Sequence, residues 1–243
     1  MASSGEPATP AERFEQTVAR MAGESLLETS PESLAAARYL LEDSFDRGVR
    51  DIGRYTYFAK LLLQQALHLA EHDPAEAGAY RRVAIPMAYN LAANTWIGWG
   101  EGVGEVEEKH RRLGLEAARL NVALAKEADL GPERRRNGHW ILGAHLIAAG
   151  DFDAAAEEFA VSRDLASEAG LGQAARMAQG WIHVAEILAG KDAAPMLDAT
   201  KRALAGDDNG ETFARQYDTA LRVFAERQTE RAAAQEDESP TAP

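Results

Sequence analysis

Leu124-Ala125-Lys126-Glu127-Ala128-Asp129-Leu130-Gly131 returns about 41 residues later as Leu165-Ala166-Ser167-Glu168-Ala169-Gly170-Leu171-Gly172. The self-match runs on: Trp140-Ile141, Ala144 and Ala148 return as Trp181-Ile182, Ala185 and Ala189. A fixed offset of this size marks a chain built from repeated supersecondary units, none of which can bury its apolar face alone. Each copy reads as helix, turn, helix, and nothing alternates with period two over a useful length, so the expected fold class is all-α.

Outward from this stretch, punctuation places the other helices. Ser30-Pro31-Glu32-Ser33 is a helix start, with Leu34, Ala37, Leu41 and Phe45 on one face. A helix from Gly53 stops at Asp73-Pro74, because the residue before proline is pushed out of helical geometry. A longer helix is expected from Ala75 to Trp99, with Pro86 either kinking it or marking its true start. Gly98, Gly100, Gly102 and Gly104 read as a flexible hinge before a helix from Glu105 to Asp129. Gly131-Pro132, Gly150-Asp151-Phe152, Gly170-Leu171-Gly172 and Asp207-Asp208-Asn209-Gly210 separate the later helices. The last helix spans Glu211–Ala232, with Phe213, Tyr217, Leu221 and Phe224 in one stripe. An earlier helix is expected at Pro10–Gly23. Residues 1–9 and 233–243 read as disordered ends flanking a single helical domain at 10–232.

Composition excludes several function classes. The 243 residues are 46% hydrophobic and 27% charged, ordinary for a soluble domain, and carry a formal net charge of −13. That field repels nucleic-acid phosphates and anionic lipid, and favours neutral or basic partners. With no cysteine, disulfides, thiolate metal sites and cysteine nucleophiles are ruled out. No apolar run approaches the roughly 18 residues that would span a bilayer. The start Met1-Ala2-Ser3-Ser4-Gly5-Glu6-Pro7 is not a signal peptide, so cytoplasm is the default reading.

Residues 142–162 resemble a tetratricopeptide repeat. Leu142-Gly143 and Leu146 match its first helix, Gly150-Asp151-Phe152 its turn, and Ala155, Phe159 and Ser162 the small-large-small pattern of its second helix. The period exceeds the standard repeat of about 34 residues, so the likeness is to a degenerate, long-helix member, and HEAT-like repeats share the longer period. The resemblance implies a right-handed α-solenoid of about five hairpins that acts as a non-catalytic scaffold. It implies a concave groove for a protein segment or partner helix, lined by the first helix of each unit. The corresponding residues are Tyr89, Ala93, Trp96 and Ile97; Trp140, Ala144, Ile147 and Ala148; and Trp181, Ala185, Leu188 and Ala189. The alternative is that Trp140 and Trp181 are simply core, since tryptophan on an Ala-rich helix tends to sit between helices. A further reading places a small apolar ligand between Trp96, Trp140 and Trp181. No cofactor and no nucleic-acid or membrane partner is expected, and self-assembly through the end helices stays open.

Catalytic motifs are weak. His68-Leu69-Ala70-Glu71-His72 spells a zinc-peptidase pattern, but it lies in the last turn of a helix, where histidine also suits the helix dipole. His183 and Glu186 are three apart, and His145 occupies the Glu186 position one copy earlier, so a His145–Glu186 contact between helices is expected as a structural pair. Gly98–Gly104 lacks the preceding strand of a phosphate loop and contains Glu101. Arg134-Arg135-Arg136 and His110-Arg111-Arg112 read as local charge balance.

Overall fold

Capping residues set where the helices begin. α1 (Pro31–Arg47) starts behind Ser30, whose Oγ accepts from the Ser33 amide at 3.2 Å. α2 (Ile52–His72) starts behind Asp51, whose carboxylate accepts from the Arg54 amide at 2.9 Å, and ends at Asp73 before Pro74. There follow α3 (Ala77–Thr95), a 3-10 turn (Ile97–Trp99), α4 (Glu108–Glu127), α5 (Pro132–Ala149), α6 (Phe152–Glu168), α7 (Gly172–Leu188), α8 (Ala194–Leu204) and α9 (Gly210–Asp237). The computed structural model describes residues 30–47, 51–100 and 106–237. Among these residues the chain is helical, with no strand, and each helix packs on the next in order. The expected helix at Pro10–Gly23 and the glycines Gly102 and Gly104 lie outside the described residues.

The sequence self-match has a counterpart in backbone geometry. Asp129 and Gly170, the same position in the two copies, both take positive φ, at 47° and 72°. In each copy the following leucine amide closes the helix end in the same way, Leu130 onto Ala125 C=O at 3.1 Å and Leu171 onto Ala166 C=O at 2.8 Å. The related turn at Gly150 has φ 90°, with the Asp151 amide on Leu146 C=O at 3.0 Å. Asp129 adopts here a conformation that glycine takes at no steric penalty, and its short polar side chain is among the few that tolerate it.

Small residues set how closely the helices approach. A Cβ on Gly143 would stand 2.9 Å from the Phe159 ring, so α5 and α6 meet where that phenyl fills the gap. Ala155 and Ser162 flank Phe159 on the same buried stripe of α6, and Ser162 Oγ donates to Arg136 C=O at 2.9 Å. Gly114 brings α4 against two helices at once: its missing Cβ would lie 2.1 Å from Thr95 Oγ1 on α3 and 2.4 Å from His145 Cε1 on α5. Thr95 Oγ1 bonds back to Leu91 C=O at 2.7 Å, and His145 Nε2–H donates to Ala92 C=O at 2.9 Å. Pro86 interrupts the α3 ladder, as expected, and Asn121 of α4 donates to the neighbouring Ile85 C=O at 2.7 Å.

Two boundaries differ from expectation. The helix expected to run to Trp99 stops at Thr95, because Trp96 is extended (φ −81°, ψ 124°) and its indole turns inward. α9 continues past Ala232 to Asp237, so residues 233–237 are helical where a disordered tail was expected. The Ala232-Ala233-Ala234 run is the strongest helix-forming composition available, and it carries the helix on.

Candidate functional site

All four tryptophans of the chain meet in one cluster. Trp96 lies edge-on to Trp99, Trp140 and Trp181, with ring centroids 4.8, 5.9 and 5.5 Å away. Trp140 and Trp181, the repeat-equivalent pair, are 5.8 Å apart. Phe224 of α9 closes on Trp96 at 6.3 Å, while Phe159 of α6 and Tyr217 of α9 pack on Trp181 at 5.8 and 5.3 Å. Offset and edge-to-face arrangements at these separations suit the ring quadrupoles. The cluster therefore joins α3, α5, α6, α7 and α9.

The segment from Trp96 to Gly100 is built to reach across. Its bend after Thr95 carries the Trp96 indole onto α5 and α7, where Nε1–H donates to Ala144 C=O at 2.8 Å. Gly98 lies beneath that indole: a Cβ there would be 2.2 Å from Trp96 Cζ2. Gly100, at φ 83°, abuts α9 so closely that its Cβ would stand 2.6 Å from Thr219 Cγ2. The two described glycines of the expected hinge are thus packed against partners. Trp99 Nε1–H turns back to Ala93 C=O at 2.8 Å.

Burial is uneven. Trp96 and Trp181 are 0% exposed and Trp140 is 6% exposed, whereas Trp99 stands at the rim with 37% of its surface free. Each buried indole withdraws roughly 200 Å² from water, about 5 kcal/mol of gross hydrophobic free energy. Leaving this face bare would forfeit that for several rings at once, which explains why the chain covers it. The Trp140 and Trp181 indole N–H groups are buried with no acceptor among the described residues, an omission worth about 1–3 kcal/mol each. Tyr217 escapes this by donating to Met177 C=O at 2.8 Å, and burial holds its phenol well above the ordinary range and so protonated.

Most of the residues expected to line a groove belong to the buried core. Trp96, Trp140, Trp181, Ala144, Ile147, Ala185 and Leu188 are buried, and Ala93 is half-buried. Leu188 is further capped by Gln228 of α9, which donates to its C=O at 3.1 Å. Tyr89 goes elsewhere, into a cleft beside Arg82, Asn121 and Arg134. Sequence reasoning missed Phe224 and Tyr217 as members. Their helical stripe was legible, but not that it would meet a segment so far upstream. The expected His145–Glu186 pair does not form: Glu186 accepts from His183 Nδ1 at 2.9 Å, and His145 bonds Ala92. His68 and His72 stack ring on ring at 4.1 Å, and among the described residues no three His, Asp or Glu side chains converge on a point that could hold an ion. No described helix is long and apolar enough to cross a membrane. No known protein-family model matches the chain, and no curated protein matches its sequence significantly.

Proposed function

We propose that this chain is a non-catalytic helical-repeat scaffold, a right-handed stack of hairpins of the tetratricopeptide kind, whose inner face takes an aromatic-bearing protein segment. The supporting observation is the seating of Trp96. A short segment, extended at Trp96 and turning at Ile97–Trp99, packs on α5 and α7 with the Trp96 indole among Trp140, Trp181 and Phe224, anchored through one backbone carbonyl. The protein's own Trp96–Gly100 segment thus occupies the face in the way a partner would. A partner displaces it by supplying equivalent apolar burial, and the surface charge of −13 favours one with basic flanks.

The test is capture from native lysate. Gly100→Ala strains a positive-φ position and crowds Thr219, loosening the segment, and should raise partner capture several-fold. Trp140→Ala/Trp181→Ala should abolish it. If the double variant stays helical by circular dichroism and captures the same proteins as wild type, the inner face is not the binding surface.

The two indole donors without acceptors favour a second reading, a small apolar ligand bearing a carbonyl that bonds one or both. Under that reading a carbonyl compound quenches tryptophan emission saturably, and Trp181→Phe weakens the effect. Quenching that stays linear in concentration for every compound would dismiss it.

A further inference from the structure

A second cleft lies away from the tryptophans, where α3, the end of α4 and the start of α5 meet. It encloses about 150 Å³ and is lined by Arg82, Ile85, Tyr89, Asn121, Leu130, Arg134 and Asn137. Two guanidinium groups, two carboxamides and a phenol face it, with no carboxylate among them. In a chain where acidic residues outnumber basic ones 39 to 26, an acid-free lining runs against the average surface. Arg111, Arg163 and Arg176 have each found a carboxylate, at 2.5, 2.7 and 2.6 Å. Arg82 and Arg134 have no ion pair among the described residues.

Three further features agree. Arg136, close enough to Tyr89 to act on its phenol electrostatically, keeps a buried Nε–H with no acceptor among the described residues. Burial raises the Tyr89 phenol above its ordinary range, so at neutral pH it is a hydroxyl donor. Asn121 is already held by its bond to Ile85 C=O, so one wall of the cleft is fixed before anything binds. Ile85 and Leu130 supply apolar shoulders beside these donors.

We propose that this cleft binds a small oxyanion, a carboxylate on a short hydrocarbon body or a phosphate. Planar guanidinium forks match two oxygens of such a group, and amide and hydroxyl donors complete its shell. The volume is about five times the share of one water molecule in the liquid, enough for an anion of this size. The site is independent of the inner face: none of its residues makes a ring contact in the tryptophan cluster.

Calorimetric titration of the full chain with inorganic phosphate, and separately with butyrate, tests the proposal, with sodium chloride as the ionic-strength control. At least one of the two anions should bind saturably. Arg82→Gln and Arg134→Gln should each weaken it about tenfold, the effect of one lost charge-assisted hydrogen bond. Arg134→Lys should recover part of that loss, and Arg202→Gln on α8, which removes the same charge elsewhere, should change nothing. Phosphate binding alone or butyrate binding alone both support the site and identify its ligand class. Absence of saturable binding by either, or equal weakening by Arg202→Gln, overturns it. Unchanged helical circular dichroism in the variants separates lost binding from lost folding.

Discussion

Replacing Trp96 with alanine is expected to lower the free energy of unfolding by about 3–5 kcal/mol, the upper range for a single core truncation. The indole is fully buried, touches three other tryptophans and Phe224, and holds Ala144 C=O. Its loss removes the indole bond to that carbonyl, which keeps only its helical donor, and opens a void that the packed helices around it cannot close, and Gly98 no longer has the ring it makes room for. For a domain of this size the melting temperature should fall by about 10 °C. Urea unfolding monitored by circular dichroism checks this, and the slope should stay at the wild-type value. Trp99→Ala, at the rim, should have a much smaller effect. A Trp96→Ala loss below about 1 kcal/mol would show instead that the segment is weakly held and that Trp140 and Trp181 repack without it.

The second large effect is acid sensitivity through His145. This side chain is 2% exposed, and burial pulls its pKa down from 6.5 to about 4, partly opposed by the bond to Ala92 C=O. The neutral ring with Nε2–H donating is therefore the folded form. The unfolded chain takes up its proton near pH 6.5 and the folded one only near 4, so between these values the unfolded state holds more protons and stability rises with pH. The contribution is fully present above about pH 6.5 and is lost progressively as pH falls to about 4, roughly 3 kcal/mol in all. Urea midpoints for wild type and His145→Gln between pH 4 and 8 measure it. Glutamine can still donate to Ala92 but does not titrate, so the gap between the two proteins should narrow as pH falls. A gap that is constant across this range would assign the acid sensitivity to other groups.

Much of the helical pattern was legible because its signals are local. Ser30 as a cap, Asp73-Pro74 as a stop, and the left-handed glycines at 150 and 170 act within a turn or two of themselves. The self-match at Leu124–Gly131 and Leu165–Gly172 placed Trp140 and Trp181 as counterparts, and the rings do meet. The end of α3 was not legible. Trp96 and Trp99 continue a helical spacing, and nothing nearby announces that an indole will be drawn toward α5, α7 and α9. Tyr89 shows the same limit, since helical spacing put it in line with Trp96 but the approach of α4 and α5 decided which cleft it lines. The arginine triplet beginning at Arg134 read as charge balance because the pairing of each guanidinium depends on which carboxylates the fold brings near.

Helices that touch only their neighbours would melt from either end, each layer peeling without disturbing distant ones. The contact between Trp96 and Phe224 removes that freedom by fastening the last helix to one near the beginning. Loosening α9 takes a wall from the tryptophan cluster and so unsettles α3, α5 and α7 together. The stretch from α3 to α9 should open as one cooperative unit, with α1 and α2 as the part left free to fray.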